Sequence, residues 1–392
     1  MNTLRATKAA VCSVSIAILC TAAFGCAVDA DESSTEAVNE AQSELLGGGP
    51  MIPLQTCDTT YVPPGVWPGI DPVALFGAGA TSCAAASSSS PCAPHKVYTP
   101  SPVREREPLF VFLPGTNMEP NKHDLVLATA ASVGYRSIGL SYDNTVAAAT
   151  ACAGLEACGL DCRGLVREEV ARGIDLTPVV NVAREDGVLV RLYRLLAHLD
   201  AIDPAGGWGS YYVPTAGNIT ASNIVWSNII LGGFSQGAGV AAAISRVFQV
   251  HGLFVLDGAK DTCIDPATGD ELPAEYLTTG SDASAGRPKY GVRHDHGTGD
   301  TTTSDSWQTL GLGTSLRNID TFDLIPPPGA SVTTQGHPAS PAICSDHMSM
   351  ARDACMPTDL AGATGATAPT DYFLYEAYAR RLCYACDATT CP

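Results

Sequence analysis

Basic residues are scarce in this chain. Lysine and arginine together number 22 against 40 aspartates and glutamates, which gives a formal net charge of -18 at pH 7. No basic stretch is longer than Arg380-Arg381. Because an acidic surface repels phosphate groups, we expect neither nucleic acid nor anionic lipid headgroups among the partners.

The chain also lacks the patterns of several other protein classes. It has no internal repeat at solenoid or propeller periods and no HExxH helix. The CxxC pair Cys383 and Cys386 has no second ligand pair at matching spacing. One segment crowds imidazoles and carboxylates together: His294, Asp295, His296 and Asp300. Two histidines do not complete a zinc site, so we expect no metal and no other cofactor.

Residues 1–26 have the pattern of an export signal. Arg5 and Lys8 precede an apolar stretch over 9–24, which is too short and wrongly flanked for a stable membrane span. The ending AFGC resembles a bacterial lipoprotein signal, which implies lipidation of Cys26 and anchoring to the outer membrane. Ala23 stands where leucine is usual, so plain secretion stays open.

Cysteine usage agrees with export. Without Cys12, Cys20 and Cys26, the 15 cysteines leave an even number in the mature chain. An even set in an exported protein predicts disulfides formed in an oxidising compartment.

Composition divides the remaining chain into three parts. Residues 27–50 are acidic and polar, with too little apolar content to fold alone, and predict a flexible tether. Residues 51–102 are rich in Pro, Ser and Ala, and predict an extension fastened to the main domain by cysteines. Residues 103–392 form that domain.

Within the domain, short apolar runs alternate with helical stretches. Strands are predicted at 109–113, 137–142, 228–232, 252–257 and 290–294, and helices at 124–133, 188–199 and 236–248. This alternation predicts an α/β fold with a mostly parallel central sheet and helices on both faces. Ligands bind beyond the carboxyl ends of the strands in such folds.

The segment Gly233-Phe234-Ser235-Gln236-Gly237 matches the motif GxSxG between a predicted strand and a predicted helix. A serine there sits on a strained turn, and its neighbours must be glycine to avoid clashes. The segment resembles the nucleophile elbow of the α/β-hydrolase superfamily, in particular cutinases and related esterases. With LPGTN and CSDHMSMARD, it resembles an exported bacterial branch of that superfamily from residue 108 onward.

The resemblance implies an oxyanion hole after the first strand. Residues Pro114-Gly115-Thr116-Asn117 occupy that position, with Pro114 where many members have histidine. The backbone amides of Thr116 and Gln236 are then the expected donors.

The resemblance also implies a triad in the order Ser, acid, His. For the base we favour His347, in a loop before the last helix, over His337, whose neighbouring proline indicates a turn. For the acid we prefer Asp300 in the turn HGTGD, then Asp295, then Asp257.

These expectations describe a monomeric serine hydrolase that cleaves small-molecule or lipid-like carboxylic esters. Residues 146–187 lie outside the resemblance, and their position favours a lid. Two alternatives stay open: a serine peptidase of the same superfamily, and an inactive surface lipoprotein that uses the fold as a binding module.

Overall fold

A computed structural model describes residues 59–76, 90–295, 301–313, 317–320, 331–359, 361–366 and 368–385. They all belong to one structural unit, Thr56–Pro392. The predicted export signal, Cys26 and the tether over 27–50 lie outside the described residues.

Strands are described in chain order as β1 Gly65–Val66, β2 Lys96–Thr99, β3 Leu109–Leu113, β4 Arg136–Gly139, β5 Ile229–Phe234, β6 Gly252–Leu256, β7 Thr262–Ile264, β8 Glu271–Pro273, β9 Lys289–His294, β10 Arg317–Asn318 and β11 Val332–Thr334. The main sheet has the order β1-β2-β4-β3-β5-β6-β9-β11-β10. Strands β1 and β2 pair antiparallel, as do β2 and β4, and every later pair in the sheet is parallel. Strands β7 and β8 form a separate hairpin.

The helices are α1 Pro72–Phe76, α2 Asp124–Ser132, α3 Ala148–Ala151, α4 Cys162–Arg172, α5 Val188–Ile202, α6 Gln236–Val247, α7 Glu275–Thr278, α8 Thr301–Thr309, α9 Asp346–Ser349 and α10 Tyr375–Tyr384. The predicted strands and helices of the domain are confirmed to within a few residues. The predicted α/β fold class, with its mostly parallel sheet and helices on both faces, is confirmed as well.

Strand β3 shows how the sequence builds two cores. All five of its residues are buried. Because side chains alternate along a strand, Phe110 and Phe112 pack with α2 and α10 on one face of the sheet. Leu109, Val111 and Leu113 pack with α5 and α6 on the other. A strand buried on both faces therefore needs an uninterrupted apolar run.

Three disulfides brace the described part of the chain. Cys152 bonds Cys162, Cys158 bonds Cys263, and Cys344 bonds Cys355. Among the described helices, none is long and apolar enough to cross a membrane.

Candidate active site

Ser235 lies on a sharp turn between β5 and α6. Its backbone has φ 51° and ψ −114°, an unusual conformation for a residue with a side chain. A Cβ on Gly233 would overlap the backbone of Gly237, and one on Gly237 would overlap the carbonyl of Leu113. The two glycines therefore let the turn pack between strand and helix. Holding such a conformation costs on the order of 1–3 kcal/mol, and strain of this kind concentrates at functional sites.

His347 lies on α9, and its Nδ1 is 2.7 Å from Oδ2 of Asp257. Asp257 directly follows β6, with φ 36°, and its side chain is 1% exposed. With the carboxylate ionised, Nδ1–H of the imidazole is the donor, which leaves Nε2 as the basic nitrogen. The ring of His347 packs 4.5 Å, centroid to centroid, from Phe234, the residue before Ser235. The imidazole thus lies beside the elbow with its orientation fixed by a buried carboxylate.

This contact changes the order of preference among the three candidate acids. Asp300, our first choice, lies outside the described residues. Asp295, the second, follows β9 and accepts a hydrogen bond from Gln335 Nε2 at 3.3 Å. Asp257, the third, is the carboxylate that the fold brings to His347. Strands β6 and β9 are parallel neighbours, so both carry an aspartate to the same edge of the sheet, and the packing of α9 selects between them.

The other predicted histidines lie elsewhere. His337 is exposed, beside the loop of Gly362. His294 ends β9, with Nε2 3.2 Å from the carbonyl oxygen of Gly336. His296 lies outside the described residues, as does Asp300. Within the described ranges, no three His, Cys, Asp or Glu side chains are grouped to hold a metal ion.

The loop after β3 is held against the elbow. A Cβ on Gly115 would lie 2.8 Å from the ring of Phe234 and 3.3 Å from the Cβ of Ser235. Tyr142 donates a hydrogen bond to the Pro114 carbonyl at 2.7 Å. Thr116, the next residue, lines the same cavity as Ser235.

Asn144 fixes this loop, and sequence reasoning missed it. Its Nδ2 donates to the backbone carbonyls of Gly115 at 2.6 Å and Met118 at 3.0 Å. The backbone carbonyl of Asn144 accepts a hydrogen bond from Asn117 N at 3.0 Å. Asn144 as a whole is 1% exposed. Its position could have indicated this role. A polar residue just beyond the carboxyl end of a strand lies at the edge of a parallel sheet where ligands bind.

Arg167 holds the residue after Ser235. From α4, its Nη1 donates to the Gln236 carbonyl at 2.9 Å. Its Nε and Nη2 form a forked ion pair with Asp261, at 2.9 and 3.0 Å. Tyr276 adds a hydrogen bond to Asp261 at 2.7 Å. The Gln236 side chain also has a structural role, because its Oε1 accepts from Ala148 N at 3.0 Å.

The charges of this network stabilise one another. Burial by itself raises the pKa of Asp261, but the charge and hydrogen bonds of Arg167 outweigh that effect, and the pKa lies below its usual range. Burial, followed by the Asp261 charge, raises the pKa of Tyr276 well above its usual value. Asp261 is therefore ionised and Tyr276 neutral at physiological pH.

A cavity of about 480 Å³ opens in front of Ser235. The turns that follow β3, β5 and β6 contribute Thr116, Ser235, Gln236 and Asp257 to its wall. Another part of the wall comes from the segment 146–187: Ala147, Ala148, Ala149, Arg163 and Arg167. The Cys158–Cys263 disulfide ties this segment to β7, and Cys158 N donates to Ile264 O at 2.8 Å.

Comparison with known proteins gives structural neighbours only. No family model matches the chain, and no curated protein matches it. TT1662 from Thermus thermophilus is 14% identical, with 62% of this chain and 83% of that chain covered and a TM-score of 0.32. Esterase 2 of Thermogutta terrifontis, phosphoramylated by tabun, is 11% identical over 72% of this chain and 84% of that chain, with a TM-score of 0.31. The native form of that thermophilic esterase is 12% identical over 62% and 76% of the two chains, also with a TM-score of 0.31. Similarity this low carries no conclusion about activity.

Proposed function

We propose that this chain is a serine hydrolase that cleaves carboxylic esters through an acyl-enzyme. Ser235 is the nucleophile, His347 the general base and Asp257 the acid. The observation that carries the proposal is the 2.7 Å contact between Asp257 and His347 beside a strained serine turn. A nucleophile, an imidazole and an orienting carboxylate are the three groups that acyl transfer by serine requires.

The reaction proceeds in two halves. Ser235 Oγ attacks the ester carbonyl while Nε2 of His347 takes the hydroxyl proton. The imidazolium then gives this proton to the departing alcohol, and the C–O bond breaks to leave Ser235 acylated. Water, deprotonated by the same nitrogen, attacks the acyl-enzyme. The bond between the acyl carbon and Ser235 Oγ breaks, Oγ takes the proton back from Nε2, and the carboxylic acid leaves. Asp257 keeps its charge throughout and stabilises the imidazolium.

The oxyanion binds to backbone amides in this mechanism. We assign the donors to Thr116 and Gln236. Helix α6 begins at Gln236 and runs for 12 residues, so its positive end faces the developing charge. The hydrogen bonds of Asn144 and Arg167 hold the two donor segments before substrate arrives.

The disulfides support export to an oxidising compartment. Secretion and anchoring through lipidated Cys26 are alternative forms of this part of the proposal, and a monomer remains the expected state. The bond between Cys158 and Cys263 favours a fixed wall over a hinged lid for the segment 146–187.

A fluorophosphonate probe tests the proposal directly. We expect it to label the wild-type protein and to leave Ser235→Ala unlabelled, with short-chain nitrophenyl esters hydrolysed only by the former. Absence of labelling in folded wild-type protein would contradict the proposed serine hydrolase and would favour an inactive protein that uses the fold as a binding module. Labelling with cleavage of peptide anilides but not esters would favour the serine peptidase.

A further inference from the structure

Two arginines one helical turn apart face the active-site cavity. Arg163 and Arg167 are four residues apart on α4, which puts them on the same side of the helix, and both line the cavity. Strand β7 lies close to both arginines. Thr262, the first residue of β7, and Asp261, the residue before it, accept hydrogen bonds from Arg163 and Arg167 respectively.

The two arginines differ in how their charge is balanced. Arg167 meets a carboxylate, since Asp261 accepts two of its hydrogen bonds. Arg163 meets a hydroxyl: its Nη1 donates to Thr262 Oγ1 at 3.1 Å. In the part of the chain that the structure describes, Arg163 forms no ion pair, and its buried Nε has no hydrogen-bond partner. Its guanidinium is therefore available to an anion in the cavity.

Lys260 supplies a second cation on the same wall. Its Nζ is 3.8 Å from Oδ1 of Asp257, beyond hydrogen-bond distance, and its side chain is 39% exposed. The other oxygen of Asp257 is occupied by His347. The Lys260 ammonium thus shares Asp257 with the imidazole through a long ion pair, and its partial exposure leaves it accessible to an anion in the cavity.

The remaining wall offers little to a fatty chain. Among the described residues that line it, the hydrophobic side chains are all alanines: Ala147, Ala148, Ala149 and Ala259. One further acid, Glu271, accepts the Thr262 hydroxyl at 2.5 Å and so partly offsets the charge of Arg163 through that hydroxyl. The side chains that line the cavity are small or polar, and the side formed by α4 carries the positive charges of Arg163 and Arg167.

Building on the proposed esterase function, we propose that the substrate is a small ester that carries a carboxylate, and that Arg163 and Lys260 bind this carboxylate. Guanidinium groups bind carboxylates in a planar fork, with stronger hydrogen bonds than neutral donors give. The Cys152–Cys162 and Cys158–Cys263 disulfides hold the start of α4 and its partner strand in place. Little ordering is then needed on binding.

Two matched ester pairs test this. The carboxylate lies on the leaving group in 4-acetoxybenzoate, with 4-acetoxybenzamide as its neutral counterpart, and on the acyl group in monomethyl adipate, with dimethyl adipate as counterpart. For at least one pair we expect kcat/KM to favour the anionic member by about tenfold at low salt, and less as salt screens the charges. Arg163→Gln keeps a donor for Thr262 and should abolish the preference. Glu271→Gln should increase it.

Arg172→Gln is the matched control, because it removes the same charge from the same helix at a partly exposed site paired with Glu168, away from the cavity wall. It should leave the preference unchanged. If neutral esters are hydrolysed with no anionic preference in either pair, or if Arg163→Gln keeps the preference, this proposal is wrong and the esterase function stands. If no ester is hydrolysed and the fluorophosphonate does not label Ser235, the proposed function itself is wrong.

Discussion

Asp257 and His347 are 90 positions apart in the chain and 2.7 Å apart in the fold. The carboxylate is 1% exposed, whereas the imidazole is 33% exposed. A buried carboxylate that is hydrogen-bonded to the ring orients it, and the exposed part of the ring is accessible for the proton transfer proposed above. This pair supports the first prediction.

Asp257→Asn should lower kcat by about 10⁴-fold, since an amide favours the wrong imidazole tautomer and does not stabilise the imidazolium. Steady-state hydrolysis of a short nitrophenyl ester measures the loss. Asp295→Asn is the control and should stay near wild type, because Asp295 contacts Gln335. Wild-type turnover in Asp257→Asn together with loss in Asp300→Asn would return the role to the carboxylate we first favoured.

Arg167→Lys should lower kcat by about tenfold or more with little change in KM. Lysine keeps the charge but cannot bind Asp261 and the Gln236 carbonyl together, so the backbone amide of Gln236, the proposed oxyanion donor, should shift. Affinity for a trifluoromethyl ketone, which mimics the tetrahedral intermediate, should fall in parallel with kcat/KM. A purely structural role for Arg167 would leave that affinity unchanged in the folded fraction.

Arg191→Lys is the matched control for Arg167. Arg191 forms an ion pair with Asp186 in which both side chains are fully buried, and neither residue lines the cavity. Its replacement should destabilise the protein yet preserve turnover per fluorophosphonate-titrated site. Equal losses of turnover in Arg167→Lys and Arg191→Lys would contradict the proposal that Arg167 positions Gln236 for catalysis.

The Cys344–Cys355 disulfide should be needed for full activity. It closes the loop that carries His347, whose helix α9 has only four residues. Closing a loop of this size stabilises a fold by about 3 kcal/mol. We expect the double Cys→Ser variant to melt several degrees lower and to turn over esters more slowly, with faster inactivation. Unchanged turnover per titrated site would mean that packing alone positions the base.

His123 should make the fold sensitive to acid. It is fully buried, with Nδ1 2.7 Å from the Ala351 carbonyl and its ring 5.1 Å from that of Phe112. Burial lowers its pKa from 6.5 to about 4. Because the folded pKa lies below the unfolded one, the neutral ring's contribution is complete above pH 6.5 and is lost as the pH falls toward 4.

The free energy of unfolding should fall by about 3 kcal/mol as the pH drops to 4, since each unit of difference in the pKa of His123 corresponds to about 1.4 kcal/mol. Urea unfolding between pH 7 and 4 measures it, with His123→Phe as the comparison because phenylalanine keeps the ring but does not titrate. The stability difference between the two proteins should change in favour of His123→Phe as the pH falls. A difference that is constant with pH would contradict the assignment.

Features built from neighbouring residues could be predicted from the sequence, whereas contacts between distant residues could not. The elbow was predictable because the strand, the glycines, Ser235 and the following helix are contiguous. The acid was not, because Asp257 and Asp295 both end parallel strands, and residues alone do not tell which strand end faces α9. Arg167 and Asn144 were missed because their partners, Gln236 and Gly115, lie 69 and 29 positions away.

By itself, the sequence determined the α/β architecture and the site of the strained serine, since apolar runs and glycine spacing act over a few residues. Only the tertiary structure decided which carboxylate meets His347 and which arginine lacks a carboxylate. Those choices depend on how α4, α9 and the ends of the strands pack together, and small differences in packing change which charged groups come within hydrogen-bond distance.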